Sequence, residues 1–155
     1  MLIKGISASS GIAIAKALVL KEEDNEVIKK DVTQYEAENE RFKEAVEKGK
    51  KQLKSTINST MEKLGEEKAK IFEAHLFMLD DPEFVGAISS KILAEKVNAE
   101  YALKTTSEEL ASMFEALDND YMRERAADIR DVSNRITRIL KGEEKVYHKK
   151  DLLEV

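Results

Sequence analysis

The sequence predicts a mainly α protein, a helical bundle of paired antiparallel helices, preceded by a short strand-like segment. Three observations carry this reading. From Thr33 onward the apolar residues recur at intervals of three, four and seven, the period of helices that bury one stripe. The single proline, Pro82, follows two aspartates, the pattern of a helix start rather than a helix break. The gaps between helical runs are short, so successive helices should pack as antiparallel neighbours.

Residues 1–20 have strand character. Leu2, Ile3 and Ile6 are apolar, and Gly5 permits close approach of another backbone. Ser7–Gly11 reads as a small-residue loop, and Ile12–Leu20 as a second strand alternating at Ile12, Ile14 and Leu18. The charged stretch 21–31 reads as a linker. Thr33-Gln-Tyr-Glu36 has the form of a capping box, with the Thr hydroxyl serving the third helical N–H and Glu36 reaching back. The helix it opens carries Tyr35, Phe42, Val46, Leu53, Ile57, Met61 and Leu64 on one stripe and ends at Gly65. A second helical run covers Glu66–Leu79. Asp81 is the expected N-cap of a third, with Pro82 at its first position and Phe84, Ile88 and Ile92 on its core face. Asn98 is the expected cap of a fourth, bearing Tyr101, Leu110, Met113, Phe114 and Leu117. Asp118 is the expected cap of a fifth, bearing Met122, Ala126, Ile129, Val132, Ile136 and Ile139, with Gly142 as its stop.

Composition removes several function classes. The chain contains no cysteine, which excludes disulfides, thiolate chemistry and cysteine-based metal sites. The net charge of −5 argues against nucleic acid as the main partner, because neutralising phosphates needs clustered Lys and Arg. No run of about 18 apolar residues is present, so no segment reads as a membrane-spanning helix. Lys16, Gly5 and Gly11 interrupt the N-terminal apolar stretch, which reads as strand and loop rather than as a signal peptide. A cytoplasmic location is the expectation.

The second helical run is the informative one. Phe72, Leu76 and Leu79 fall on one face, and Ile71, His75 and Met78 fall on an adjacent face at the same spacing. A helix of a small bundle needs one such stripe. The second is either buried by another neighbour or exposed for a partner. His75 stands without a second His or Cys at the spacing of a metal ligand pair, and Glu73 and Asp80 do not complete a set. No glycine-rich anion loop accompanies it, so a polar residue at the rim of an apolar patch is the plainest reading. Neither a Walker-type nor a dinucleotide-binding glycine motif occurs anywhere. The helix from Tyr121 to Asp131 is dense in charge. It is either a solvated face held by local ion pairs or the support of an arginine kept ready for a carboxylate or phosphoryl group.

Three phrases resemble one family. GISASSGIAIAKALVL at 5–20 resembles the opening of Enzyme I, the phosphoenolpyruvate–protein phosphotransferases. GEEKAKIFEAHLFMLDDPEF at 65–84 is similar to that family's second helical segment, and LDNDYMRERAADIRDVSNRI at 117–136 to its last long helix. Order and spacing match over essentially the whole chain.

The resemblance implies a helical domain that binds the phosphocarrier protein HPr, inserted into an α/β swivelling domain that carries the active histidine. In the parent enzyme that histidine takes phosphate from phosphoenolpyruvate, bound with Mg²⁺ in a C-terminal barrel, and passes it to HPr. On this reading residues 1–31 are the first strands and linker of an incomplete α/β subdomain. Residues 32–142 are the HPr-binding domain, and 143–155 return toward the α/β subdomain. The family's G-G-x-T-S-H segment is absent from the sequence, and neither His75 nor His148 stands in such a motif. The chain should therefore lack catalytic residues, hold no metal or cofactor of its own and be inactive alone. Its partners should be HPr and the rest of Enzyme I, with neither nucleic acid nor membrane. The HPr-docking surface implied by the resemblance comprises Glu66, Glu67, Lys68, Ile71, His75, Met78 and Leu79, together with Tyr121, Arg125 and Asp128. The carbohydrate branch of the family is favoured over the nitrogen-regulating one, since no sensory domain precedes Met1. Strands 2–6 and 12–20, without their partners, are expected to self-associate between chains or to stay disordered. The alternative to all of this is a non-enzymatic helical adaptor that shares the pattern.

Overall fold

The computed structural model describes residues 26–117 and 119–143, together with Gly11. Five helices follow one another: α1 (Tyr35–Leu64), α2 (Glu66–Asp80), α3 (Pro82–Glu95), α4 (Ala99–Glu115) and α5 (Asp120–Lys141). They belong to one compact unit, Asn25–Glu144. The strands expected within 1–20, their expected self-association and nearly all of the return segment lie outside the described residues. Among the described residues no helix is long and apolar enough to cross a membrane.

Gly65 alone separates α1 from α2. Its φ of 87° lies in the left-handed region that favours glycine, and its N–H closes on the Met61 carbonyl at 3.2 Å. The chain reverses there, so the middle of α1 meets the far end of α2, and Lys50 of α1 pairs with Asp80 of α2 at 3.0 Å. The expected antiparallel hairpin is present. The same holds at the other end of the chain, where Arg130 of α5 reaches Glu108 and Glu115 of α4.

Three of the expected caps, Gly65, Asp81 and Gly142, are as read and three differ. Asp81 accepts the Glu83 N–H at 2.9 Å with Pro82 behind it, as anticipated. Gly142, in the left-handed region, ends α5. The Thr33–Glu36 capping box does not form. Helix α1 starts at Tyr35 with Gln34 as N-cap and no side-chain cap bond. The entry of α1 is set by backbone pairing instead: Asp31 bridges Val97 antiparallel, Val32 N–H donates to Lys96 O at 2.8 Å, and Asn98 N–H donates to Lys30 O at 3.0 Å. Residues read as linker are thus pinned against the α3–α4 turn. Asn98 does precede α4, but its side chain makes no cap bond, because it holds this extended segment. Its Oδ1 accepts from Lys30 N–H at 2.8 Å and its Nδ2 donates to Ile28 O at 3.3 Å. The N-cap of α5 is Asn119, whose Oδ1 accepts the Tyr121 N–H at 2.9 Å, and not Asp118, which lies outside the described residues.

The core is the sum of the expected stripes. Phe42, Val46 and Leu53 of α1 meet Leu79 of α2, Ile88 and Ile92 of α3, Leu103 of α4, and Ile129, Val132 and Ile136 of α5. Removing these side chains from water is the main force holding the bundle. The stripes overrun the core at their ends. Met61 and Leu64 are exposed beside the α1–α2 turn, and Met113 and Leu117 are exposed where α4 gives way to α5. The buried face of α4 runs instead through Ala99, Ala102, Leu103, Ser107 and Ala111, mostly small residues around one buried leucine.

Candidate functional site

Helix α2 places one side inward and leaves one edge open. Ala69, His75 and Leu79 are buried, and Phe72, Leu76 and Met78 pack partly against the core. On the open edge Ile71 is 54% exposed and Phe77 is 77% exposed. Large apolar side chains at such exposure are uncommon on a monomer surface when they adjoin a concavity. Here they do. A groove of about 640 Å³ opens between four helices. Its walls are Ala74, Phe77 and Met78 of α2, Phe84 and Ala87 of α3, Leu110 and Phe114 of α4, and Tyr121, Arg125 and Ile129 of α5. Most of the wall is apolar; Asp81, Glu83 and Thr106 also line it, and Arg125 is the cationic group among them.

Arg125 is held from two sides. Its guanidinium lies over the Tyr121 ring, 4.9 Å from the centroid, and its Nη1 donates to Asp128 Oδ2 at 3.3 Å, one turn along α5. The other oxygen of Asp128, Oδ1, lies 3.4 Å from His75 Nε2 on α2. His75 is 5% exposed and meets the edge of Phe72 with ring centroids 6.2 Å apart. It is therefore a buried, partnered residue and not the rim residue the sequence suggested. The burial follows from its position, one turn before Leu79 on the face that packs against α5.

The other expected docking residues divide cleanly. Glu66, Glu67 and Lys68 are exposed in the first turn of α2, where the two carboxylates also suit the helix dipole. Met78, Tyr121 and Arg125 line the groove, and Ile71 is exposed on the open edge of α2. Leu79 does not: it is 1% exposed, a core residue whose burial leaves nothing for a partner to touch. Phe77 is missing from the stripes drawn on the sequence, because it continues neither. Its signal was negative, a phenylalanine off the buried face of an amphipathic helix. Phe84, Leu110 and Phe114 were legible as apolar stripe members, but not as a groove wall, since that depends on how α3 and α4 are set against α2.

Comparison with known proteins fixes the family. The family described as "PEP-utilising enzyme, N-terminal" matches residues 4–125. The chain belongs to this family of PEP-utilising enzymes. Its relatives in that family include the phosphoenolpyruvate-protein phosphotransferase of Bacillus subtilis, 51% identical over 142 residues, which cover 92% of this chain and 25% of that protein. The protein of the same name from Geobacillus stearothermophilus is 54% identical over 140 residues, covering 90% of this chain and 24% of that one. A solution structure of an Enzyme I protein superposes with a TM-score of 0.74 at 34% identity, covering 77% of this chain and 49% of that one. The matches bear out the resemblance to Enzyme I over the reading as an unrelated helical adaptor. The chain spans about a quarter of the length of these curated relatives. Among the described residues of this PEP-utilising N-terminal region, no three His, Asp or Glu side chains converge as metal ligands would.

Proposed function

We propose that this chain is the phosphocarrier-docking module of a phosphoenolpyruvate–protein phosphotransferase, and that the groove between α2 and α5 receives HPr. The observation that carries this reading is the groove itself. It joins an exposed phenylalanine, Phe77, to a tethered arginine, Arg125, across an apolar floor. Interfaces draw most of their energy from a few apolar anchors seated in such pockets, and the surrounding charges steer approach. Glu66 and Glu67, exposed at the entrance to α2, suit a basic partner surface. Arg125 at the groove wall suits a carboxylate or a transferred phosphoryl group, whose equatorial oxygens a guanidinium can pair bidentately.

In the whole enzyme, a histidine outside this chain would carry phosphate from phosphoenolpyruvate to HPr, with Mg²⁺ serving a further domain. The chain by itself positions HPr and does no chemistry. His75 suits that division of labour poorly as an acceptor, being buried against Asp128. Two measurements test the proposal. Calorimetric titration with HPr should give saturable one-to-one binding, and its absence would remove the docking reading. Incubation with labelled phosphoenolpyruvate and Mg²⁺ should leave the chain unlabelled. Stable label on His75 would reverse the assignment of roles.

A further inference from the structure

We infer that His75 is a positioning residue, which holds Arg125 at the groove through the two oxygens of Asp128. The function of Arg125 rests on the docking reading; the relay itself rests on geometry alone. His75 occupies a core position of α2, in line with Phe72 and Leu79, where a leucine would satisfy the packing. A polar ring placed there must be partnered, since an unpaired buried donor is costly. Its partner is Asp128 Oδ1 at 3.4 Å. An ionised carboxylate only accepts, so Nε2 carries the proton whether the ring is neutral or charged. With Oδ1 engaged, the Asp128 carboxyl plane is fixed and Oδ2 is turned to Arg125 Nη1 at 3.3 Å. The Tyr121 ring closes the other face of the guanidinium. The guanidinium therefore waits in one orientation, and a partner that engages it does not have to order it first. A supporting shell of this kind is what keeps a long, flexible side chain within binding geometry.

The test uses the ¹⁵N-labelled chain and reads two things: the Arg125 Nε–Hε signal and the affinity for HPr. In His75→Leu the Arg125 signal should broaden and exchange faster with water, and HPr affinity should fall by about tenfold, the worth of one charge-assisted hydrogen bond. His75→Gln, which retains a donor, should restore most of both. Asp128→Asn, at a partly buried position on α5, keeps an acceptor for His75 and should weaken the same Arg125 signal. In an Arg125→Gln background, His75→Leu should cost no further affinity. An unchanged Arg125 signal in both His75→Leu and Asp128→Asn, or additive losses in the double variant, would overturn the inference. If the wild-type chain does not bind HPr, the docking reading falls, while the Arg125 signal still decides the relay.

Discussion

Glu38 of α1 accepts the backbone N–H of Ala99, the first residue of α4, at 2.7 Å. A helix start is thus satisfied by a carboxylate from a different helix, sixty-one residues away in sequence. The same carboxylate holds Arg41 at 2.6 Å, and Arg41 also reaches Glu100 at 2.9 Å and the Leu140 carbonyl at 3.1 Å. One polar knot therefore ties the ends of α1, α4 and α5 where the extended segment at 28–32 enters.

This knot makes acid stability depend on Glu38. The hydrogen bond from Arg41 holds the Glu38 carboxyl below the usual carboxylate range; burial opposes this, and the Ala99 N–H adds to it. A carboxyl with a depressed folded pKa stabilises the fold above its unfolded value, and that stabilisation is lost as pH falls through the folded value. Glu38→Ala should cost about 1–3 kcal/mol near neutral pH by the loss of both cap and ion pair. Denaturation curves for Glu38→Gln should depend less on pH than the parent's below about pH 5. Equal acid sensitivity in the two proteins would assign the effect to other carboxylates.

The α1–α5 crossing depends on the missing side chain of Gly49. A Cβ there would stand 2.5 Å from Ile136 Cδ1, and Ile136 is fully buried, with little room to retreat. Alanine is worth about 1 kcal/mol over glycine in a helix interior, but overpacking costs about 1–3 kcal/mol. Gly49→Ala should therefore lower the melting temperature. In an Ile136→Val background, where that methyl is gone, the same change should raise it. A Gly49→Ala variant more stable than the parent in both backgrounds would show that Ile136 moves aside freely.

Two neighbouring positions on α2 should separate docking from folding. Phe77→Ala should leave stability within about 0.5 kcal/mol and weaken HPr binding by about 1–3 kcal/mol. Leu79→Ala should instead cost about 2–5 kcal/mol of stability through the cavity it leaves in the core. Loss of binding by Leu79→Ala at full stability would place that side chain at the surface.

Much of the bundle was legible because helical period, glycine stops and the Asp81-Pro82 start are local features. The caps were less so. Thr33 had the right chemistry for a cap, but backbone pairing of 30–32 with 96–98 fixed the chain's entry into α1, and Asn98 was drawn into the same pairing. Those bonds join residues about seventy positions apart, which no local pattern records. On α2, Ile71 faces outward and Met78 lines the groove as read, whereas His75 and Leu79 are buried. Leu79 sits inside as a member of the core cluster, and Phe77 is exposed at the groove. The link from His75 to Arg125 needs the register of α2 against α5, a property of packing rather than of spacing.

The most direct test of the groove as the HPr site is an amide NMR titration of the ¹⁵N-labelled chain with unlabelled HPr. Shifts should concentrate on 71–78 of α2 and 121–125 of α5, with smaller changes at Phe84 and Phe114, and should be strongly reduced in Phe77→Ala. Saturable shifts confined to other surfaces, such as the exposed faces of α1 and α3, with the groove unmoved, would contradict it.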